Sequence, residues 1–350
     1  MKNYKNLKSE SAIMKDSGGK KMKLRLGLIG LGSIGRAHLR NCSKLRIAEL
    51  AAVADTSKRA LAKANAMGVK HTYTSYQELL DDKSIDAVII ALPTHLHATC
   101  AQKAAEAKKH IFVEKPLARN VTEAKEIISS AEKNGVKLMV GYPYRFNKKF
   151  MDLKNMIVSG ELGDILVMNA TFVTGGPFSH RSEQGAPLPV PRWWFQRELT
   201  GGGVLIDTGS HLINLLRWYF GEVEEIKSVL GHRFNLDMED YAVCMAKFCN
   251  GPIALFNVGW YSMEYQFKVD LLGTVKHASV SNTPPSMIKA GIQMLMTNTS
   301  DFWTMYIREL GYFVRSIQHD LEPSPSGHDG LMDLMTIAKA YENNTLMNFA

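Results

Sequence analysis

From residue 24 to residue 142 the chain alternates short, nearly uninterrupted apolar runs with longer amphipathic ones, and this restricts the fold more than any other feature. The apolar runs at 24–30, 50–55, 87–92, 111–114 and 137–141 have strand length. The segments between them, 34–45, 57–67, 75–80, 96–107 and 122–134, have helical spacing. Strands that are apolar on both faces need cover on both, and intervening helices supply it in a parallel α/β sheet. After residue 143 the order changes. A helix is expected at 147–159, a strand at 165–173, a Gly- and Pro-rich loop at 175–191 and a helix at 207–220. Strand-like runs then follow at 226–234, 242–248, 253–260 and 267–272, with further helices at 302–318 and 330–342. Successive strands with few helices between them imply a mostly antiparallel, open-faced sheet in an α+β half.

The first apolar run ends in Gly30-Leu31-Gly32-Ser33-Ile34-Gly35, a G-x-G-x-x-G string between a strand and a helix. Glycines there allow a tight turn, close backbone approach to a pyrophosphate, and close packing of helix on strand. The helix amino terminus then offers unpaired N–H groups to phosphate. Asp55 closes the second run, where a carboxylate accepts hydrogen bonds from the ribose of NAD and repels a 2′-phosphate. Lys58 and Arg59 leave NADP open, because a cation there can meet that phosphate. The run at 87–92 leads into Pro93-Thr94-His95-Leu96-His97. Ligands of an open parallel sheet bind at the carboxyl ends of its strands, which puts Thr94 and His97 beside the nicotinamide. His95 and His97 have no third ligand nearby, so no metal site is expected. The expected plan is a polar tail at 1–22, a Rossmann dinucleotide-binding domain at 23–143, and a substrate and oligomerisation domain at 144–350.

Composition excludes several other classes. The formal charge is +8, yet residues 1–25 hold eight cations against two acids, which leaves only +2 on the remainder. A nearly neutral body does not present a nucleic-acid face. No run approaches the roughly 18 apolar residues of a membrane helix. The polar, Lys-rich first 22 residues lack the apolar core of a secretory signal. Cys42, Cys100, Cys244 and Cys249 show no metal spacing and fit buried thiols in a reducing, cytoplasmic setting.

Two further strings carry chemistry. Glu114-Lys115-Pro116 ends the run at 111–114, so Glu114 and Lys115 face the cofactor from the crevice lip. Downstream, Gly201-Gly202-Gly203 precedes Asp207 and His211, which lie one helical turn apart on one face. A carboxylate and an imidazole so placed can orient a hydroxyl and accept its proton. The three glycines suggest a close approach of backbone to another group. In the loop, His180 and Arg181 are candidates for a charged substrate group, and Trp193-Trp194 offers aromatic faces to a sugar ring.

Together, Gly30–Gly35, Asp55, Pro93-Thr94 with His97, Glu114-Lys115-Pro116, Gly141 with Arg145-Phe146, and 201–211 resemble the Gfo/Idh/MocA oxidoreductases. The resemblance runs from about residue 24 to the C-terminus. It implies a substrate held between the two domains, with Lys115, Arg145, Asp207 and His211 around it, and the aromatic face of Trp194 is expected to join them. It also implies that Lys115 bonds the reacting oxygen, Asp207 orients the hydroxyl, His211 exchanges its proton, and a cis peptide bond precedes Pro116. Asn214 departs from the acid that many members carry three residues after the histidine. The implied activity is NAD(P)-dependent hydride transfer to or from a secondary alcohol or ketone of a sugar or cyclitol, in a homodimer or homotetramer joined through the C-terminal sheet. A nucleotide-sugar dehydrogenase, a dihydrodiol-type reductase, an NAD-assisted glycosidase and a sugar-sensing regulator remain open.

Overall fold

The computed structural model describes residues 23–179, 190–249, 251–282 and 301–345, with the side chains of Ser179 and residues 301–303 left aside. The tail at 1–22 and the loop candidates His180 and Arg181 lie outside the described residues.

The first sheet has the order β3 (His71–Tyr73), β2 (Ala48–Ala54), β1 (Leu24–Ile29), β4 (Ala87–Ile90), β5 (His110–Glu114), β6 (Leu138–Gly141). Every pairing in it is parallel. Helices α1 (Ser33–Cys42), α2 (Lys58–Ala66), α3 (Tyr76–Asp81), α4 (His97–Glu106) and α5 (Val121–Asn134) cover it. Leu26, Leu28, Ile89, Ile90, Ile111 and Phe112 are fully buried, as strands covered on both faces require. The winding reverses between β1 and β4, so a crevice opens above their carboxyl ends.

The second sheet has the order β12 (His277–Ser281), β11 (Gln266–Gly273), β7 (Ile165–Val173), β10 (Ile253–Gly259), β9 (Tyr241–Phe248), β8 (Val223–Gly231). It is antiparallel except where β7 runs beside β10. Helices α6 (Lys148–Val158), α7 (Val204–Phe220), α8 (Asp301–Gln318) and α9 (Gly327–Glu342) complete the chain. α7 packs across β7, β9 and β10, while α8 returns to lie against α1 of the first half. The other sheet face is open, and along β9 and β10 it shows Val243, Met245, Ile253 and Leu255, each about half exposed. No helix among the described residues is long and apolar enough to cross a membrane.

Several boundaries depart from the sequence expectation for local reasons. β3 and β12 were not anticipated, since both are short edge strands without apolar runs. Helix α7 starts at Val204 rather than 207, because its first amides are capped from a distance. Gly203 N and Leu205 N both donate to the Glu239 carboxylate, at 3.1 and 3.0 Å. Helix α9 starts at Gly327 rather than 330, held by a capping box between Ser326 and Asp329.

Candidate active site

The glycine-rich turn is built for close packing on one side and left open on the other. A Cβ on Gly30 would stand 2.4 Å from Ala91 O, and one on Gly35 would stand 2.0 Å from Gly30 O. A Cβ on Gly32 would meet nothing within 4 Å. Gly32 caps α1 without a side-chain hydrogen bond, and no acid stands in the first turn. The helix amides are therefore free to receive an anion. Asp55 braces the turn, since its carboxylate accepts from Leu31 N at 2.6 Å and Ser57 N at 2.7 Å. A dinucleotide fits this cradle, with Gly32, Ser33, Ile34 and Asp55 lining it.

The cradle opens into a cleft of about 1120 Å³ between the two sheets. Pro93, Thr94, Glu114, Lys115 and Trp194 also line it, together with Asp207 and His211. Lys115 Nζ lies 2.7 Å from Asp207 Oδ1 and 3.1 Å from Asp207 O. The link spans the two halves of the molecule, from the end of β5 to the first turn of α7. Lys115 is followed by a cis bond to Pro116. Behind it, Glu114 accepts from His38 Nε2 at 2.6 Å and from the Lys115 amide at 3.3 Å.

His211 follows Asp207 by one turn and stands among aromatic rings. Tyr144 meets its ring edge-on at 5.1 Å between centroids, with Tyr142 at 6.0 Å and Phe172 at 5.9 Å. Burial among them, and then the Lys115 charge, hold its pKa well below 6.5. Its Nδ1 is buried with no hydrogen-bond partner among the described residues, so Nε2 is the nitrogen available at the cleft. Such a group can take a proton from a hydroxyl held at the Lys115–Asp207 pair.

Three sequence expectations need correction. His97 is not beside the ligand space. It is buried beneath it, with Nδ1 2.9 Å from Pro116 O and Nε2 2.9 Å from Leu92 O, and so ties the end of β4 to the Lys115-Pro116 turn. Arg145 does not face a substrate. Its guanidinium is buried and committed to Asn214, Ser324 and Asp329. Arg59 is exposed on α2 and is not among the residues that line the cleft, because that helix turns it to solvent. Besides Lys115, the cations that line it among the described residues are Arg36 and Arg40 on α1. Arg36 stands four residues after Gly32 and Arg40 four further on, a helical-face signal legible in the sequence.

The three glycines before α7 serve the protein's own packing. A Cβ on Gly201, Gly202 or Gly203 would meet Arg119 O at 2.3 Å, Tyr341 Oη at 2.2 Å and Glu239 O at 2.0 Å. They let α7 begin deep enough to bring Asp207 to Lys115. Trp194 lies parallel to Trp193, 8° apart, on the cleft wall. Among the described residues no cluster of three His, Cys, Asp or Glu could hold a metal ion.

Comparison with known proteins decides the family. Residues 24–142 match the model of the oxidoreductase family with an NAD-binding Rossmann fold, and residues 150–278 match the GFO/IDH/MocA C-terminal domain. An uncharacterized oxidoreductase of Rhizobium meliloti is 31% identical over 74% of this chain and 75% of its own length. The chain belongs to the Gfo/Idh/MocA family. It is an NAD-dependent oxidoreductase. A Gfo/Idh/MocA relative, the myo-inositol 2-dehydrogenase of Thermotoga maritima, is 28% identical over 89% of this chain and 93% of its own. The solved levoglucosan dehydrogenase, in complex with NADH and levoglucosan, shares the fold with a TM-score of 0.78. That superposition covers 92% of this chain and 97% of the other at 23% identity.

Proposed function

We propose that this chain moves a hydride between NAD and a secondary alcohol or ketone of a sugar or cyclitol, with Lys115, Asp207 and His211 as its catalytic residues. The observation that carries the reading is the Lys115–Asp207 pair at 2.7 Å, one helical turn from a histidine kept neutral by its surroundings. NAD, when bound, supplies the hydride acceptor. Lys115 then holds the reacting oxygen and stabilises its growing negative charge, Asp207 orients the hydroxyl, and His211 takes the proton at Nε2. The paired tryptophans at the cleft wall suit the C–H face of a ring. Relatives named for inositol and levoglucosan support the same substrate class. The test is a panel of inositols, hexoses, pentoses, uronic acids and nucleotide sugars with NAD and NADP, followed by NADH absorbance. Turnover on none of the cyclitols or sugars would overturn the assignment.

Cofactor choice follows from Asp55. NAD is expected to bind at least tenfold more tightly than NADP, about 1.4 kcal/mol. Asp55→Ala should narrow that gap to a few-fold. It should also weaken NAD itself, because Leu31 N loses its acceptor. Titration of both dinucleotides checks this, and a native preference for NADP would point to Arg36 and Arg40 instead.

The open sheet face supports a homodimer or homotetramer. Met245 and Leu255 are register partners and lie side by side on that face. An apolar sheet face of this kind is normally covered by a partner. Light scattering should give at least twice the chain mass, and Met245→Lys with Leu255→Lys should lower it. A monomer at micromolar concentration refutes the proposal.

A further inference from the structure

A second hollow, of about 390 Å³, lies away from the cleft where the end of α1 meets the middle of α8. Four cations border it: Lys44 and Arg46 in the chain after α1, and Arg308 and Arg315 on α8. Arg308 and Arg315 are two turns apart and share a helix face. Gly311 lies between them, buried, and forms a floor without a side chain. A Cβ there would stand 3.3 Å from Arg315 Nη1, so the guanidinium lies over that floor. Leu45 and Ile307 supply apolar wall, and no acid lines the hollow among the described residues.

Among the described residues the charge is uncompensated. Lys44, Arg46 and Arg315 make no side-chain hydrogen bond or ion pair among the described residues, and Arg308 donates only to the Phe146 carbonyl, at 3.3 Å. Elsewhere on the described surface cations commonly sit against carboxylates, as do Lys148 with Asp152, Lys247 with Glu224 and Lys276 with Glu161. Outside its first 25 residues the chain carries only +2, so four gathered cations are a local feature. Like charges that converge on a concave, partly apolar space repel one another and lower the free energy of a bound anion. Arginine forks in particular match phosphate oxygens in pairs. The volume suits a small molecule, near the lower end of the roughly 300–1,000 Å³ of ligand sites.

We infer that this hollow is a second ligand site, separate from the dinucleotide cleft, and that it takes a small phosphorylated molecule. The phosphate sits among Arg46, Arg308 and Arg315, and the organic part rests on Leu45 and Ile307. The site stands whether or not the catalytic roles proposed above are correct, since none of its residues belongs to that machinery.

Calorimetric titration of the full chain tests this. NAD is kept saturating, so that the α1 amino terminus is closed to the probe. Pyrophosphate should bind saturably at one site per chain, and more weakly as salt rises. The variant Arg46→Gln with Arg315→Gln should lose at least tenfold in pyrophosphate affinity while NAD affinity and unliganded melting temperature stay unchanged. Glucose 6-phosphate and ADP, run as further arms, distinguish a sugar phosphate from a nucleotide as the source of the phosphate, the tighter binder identifying the class. No saturable binding in the presence of NAD, or equal affinity in the variant, overturns the inference.

Discussion

Lys115→Met is expected to lower kcat by about 10²–10³, the loss typical of one electrostatic donor at a developing oxyanion, while NAD affinity stays within a few-fold of wild type. The two effects separate because two places in the cleft do two jobs. Gly30, Gly32, Gly35 and Asp55 form the cradle at the ends of β1 and β2. Lys115 stands at the end of β5, with its ammonium on Asp207 across the domain junction. Methionine keeps the length and the apolar stem, so packing around the turn is retained, and only the charge is lost. An interaction felt mainly in the transition state shows in kcat rather than in binding. A second readout is independent of the first. The Lys115 charge is one of the two causes that depress the His211 pKa. Its removal should move the acid limb of the residual activity to higher pH. Retention of more than about a tenth of wild-type kcat would reduce Glu114-Lys115-Pro116 to a structural turn.

What could be read from sequence, and what could not, divides along physical lines. The parallel sheet was legible because strands covered on both faces must be apolar where they are covered, and Ala87–Ile90 and residues 111–113 of His110–Glu114 carry that mark. The cradle was legible because a backbone that touches backbone admits only glycine, as Gly30 and Gly35 show. His97 and Arg145 were misjudged for a shared reason. Each is a polar side chain close in sequence to the cleft whose partners are groups of the protein itself: the Leu92 and Pro116 carbonyls for one, the side chains of Asn214, Ser324 and Asp329 for the other. A buried polar group is held by whatever satisfies it, and those partners are fixed by tertiary structure. The glycines at 201–203 illustrate the same limit. Their need for close approach was clear, but the approaching groups are Arg119, Tyr341 and Glu239 rather than a ligand. Glu239 also sets where α7 begins, from a loop remote in sequence.

His211→Ala is expected to lower kcat for alcohol oxidation by about 10², the lower end of what a positioned base contributes, and so by no more than Lys115→Met. The ranking rests on how the ring is held. A histidine base is normally fixed by an acceptor at Nδ1, which keeps the proton there and leaves Nε2 free. Here Nδ1 is buried without a partner among the described residues. Asn214, the side chain at the next turn, is engaged instead with Arg145 at 2.7 Å and Asp333 at 2.6 Å. The Lys115–Asp207 pair therefore carries more of the stabilisation and His211 less. The pH dependence follows from the same surroundings. Burial first, and Lys115 second, depress the ring's pKa well below 6.5, so the base is already neutral at pH 6.5 and its limb in kcat/KM should lie to the acid side of that value. Folding is linked in the same direction. Below pH 6.5 the unfolded chain takes up a proton that the native ring refuses, so stability falls as pH falls through that range, and His211→Ala should remove part of the slope. At high pH, where the substrate hydroxyl is more readily deprotonated without a base, the deficit of the variant should shrink. A variant that keeps both the wild-type acid limb and more than about half of wild-type kcat would assign the limb to another group and end the case for His211 as the base.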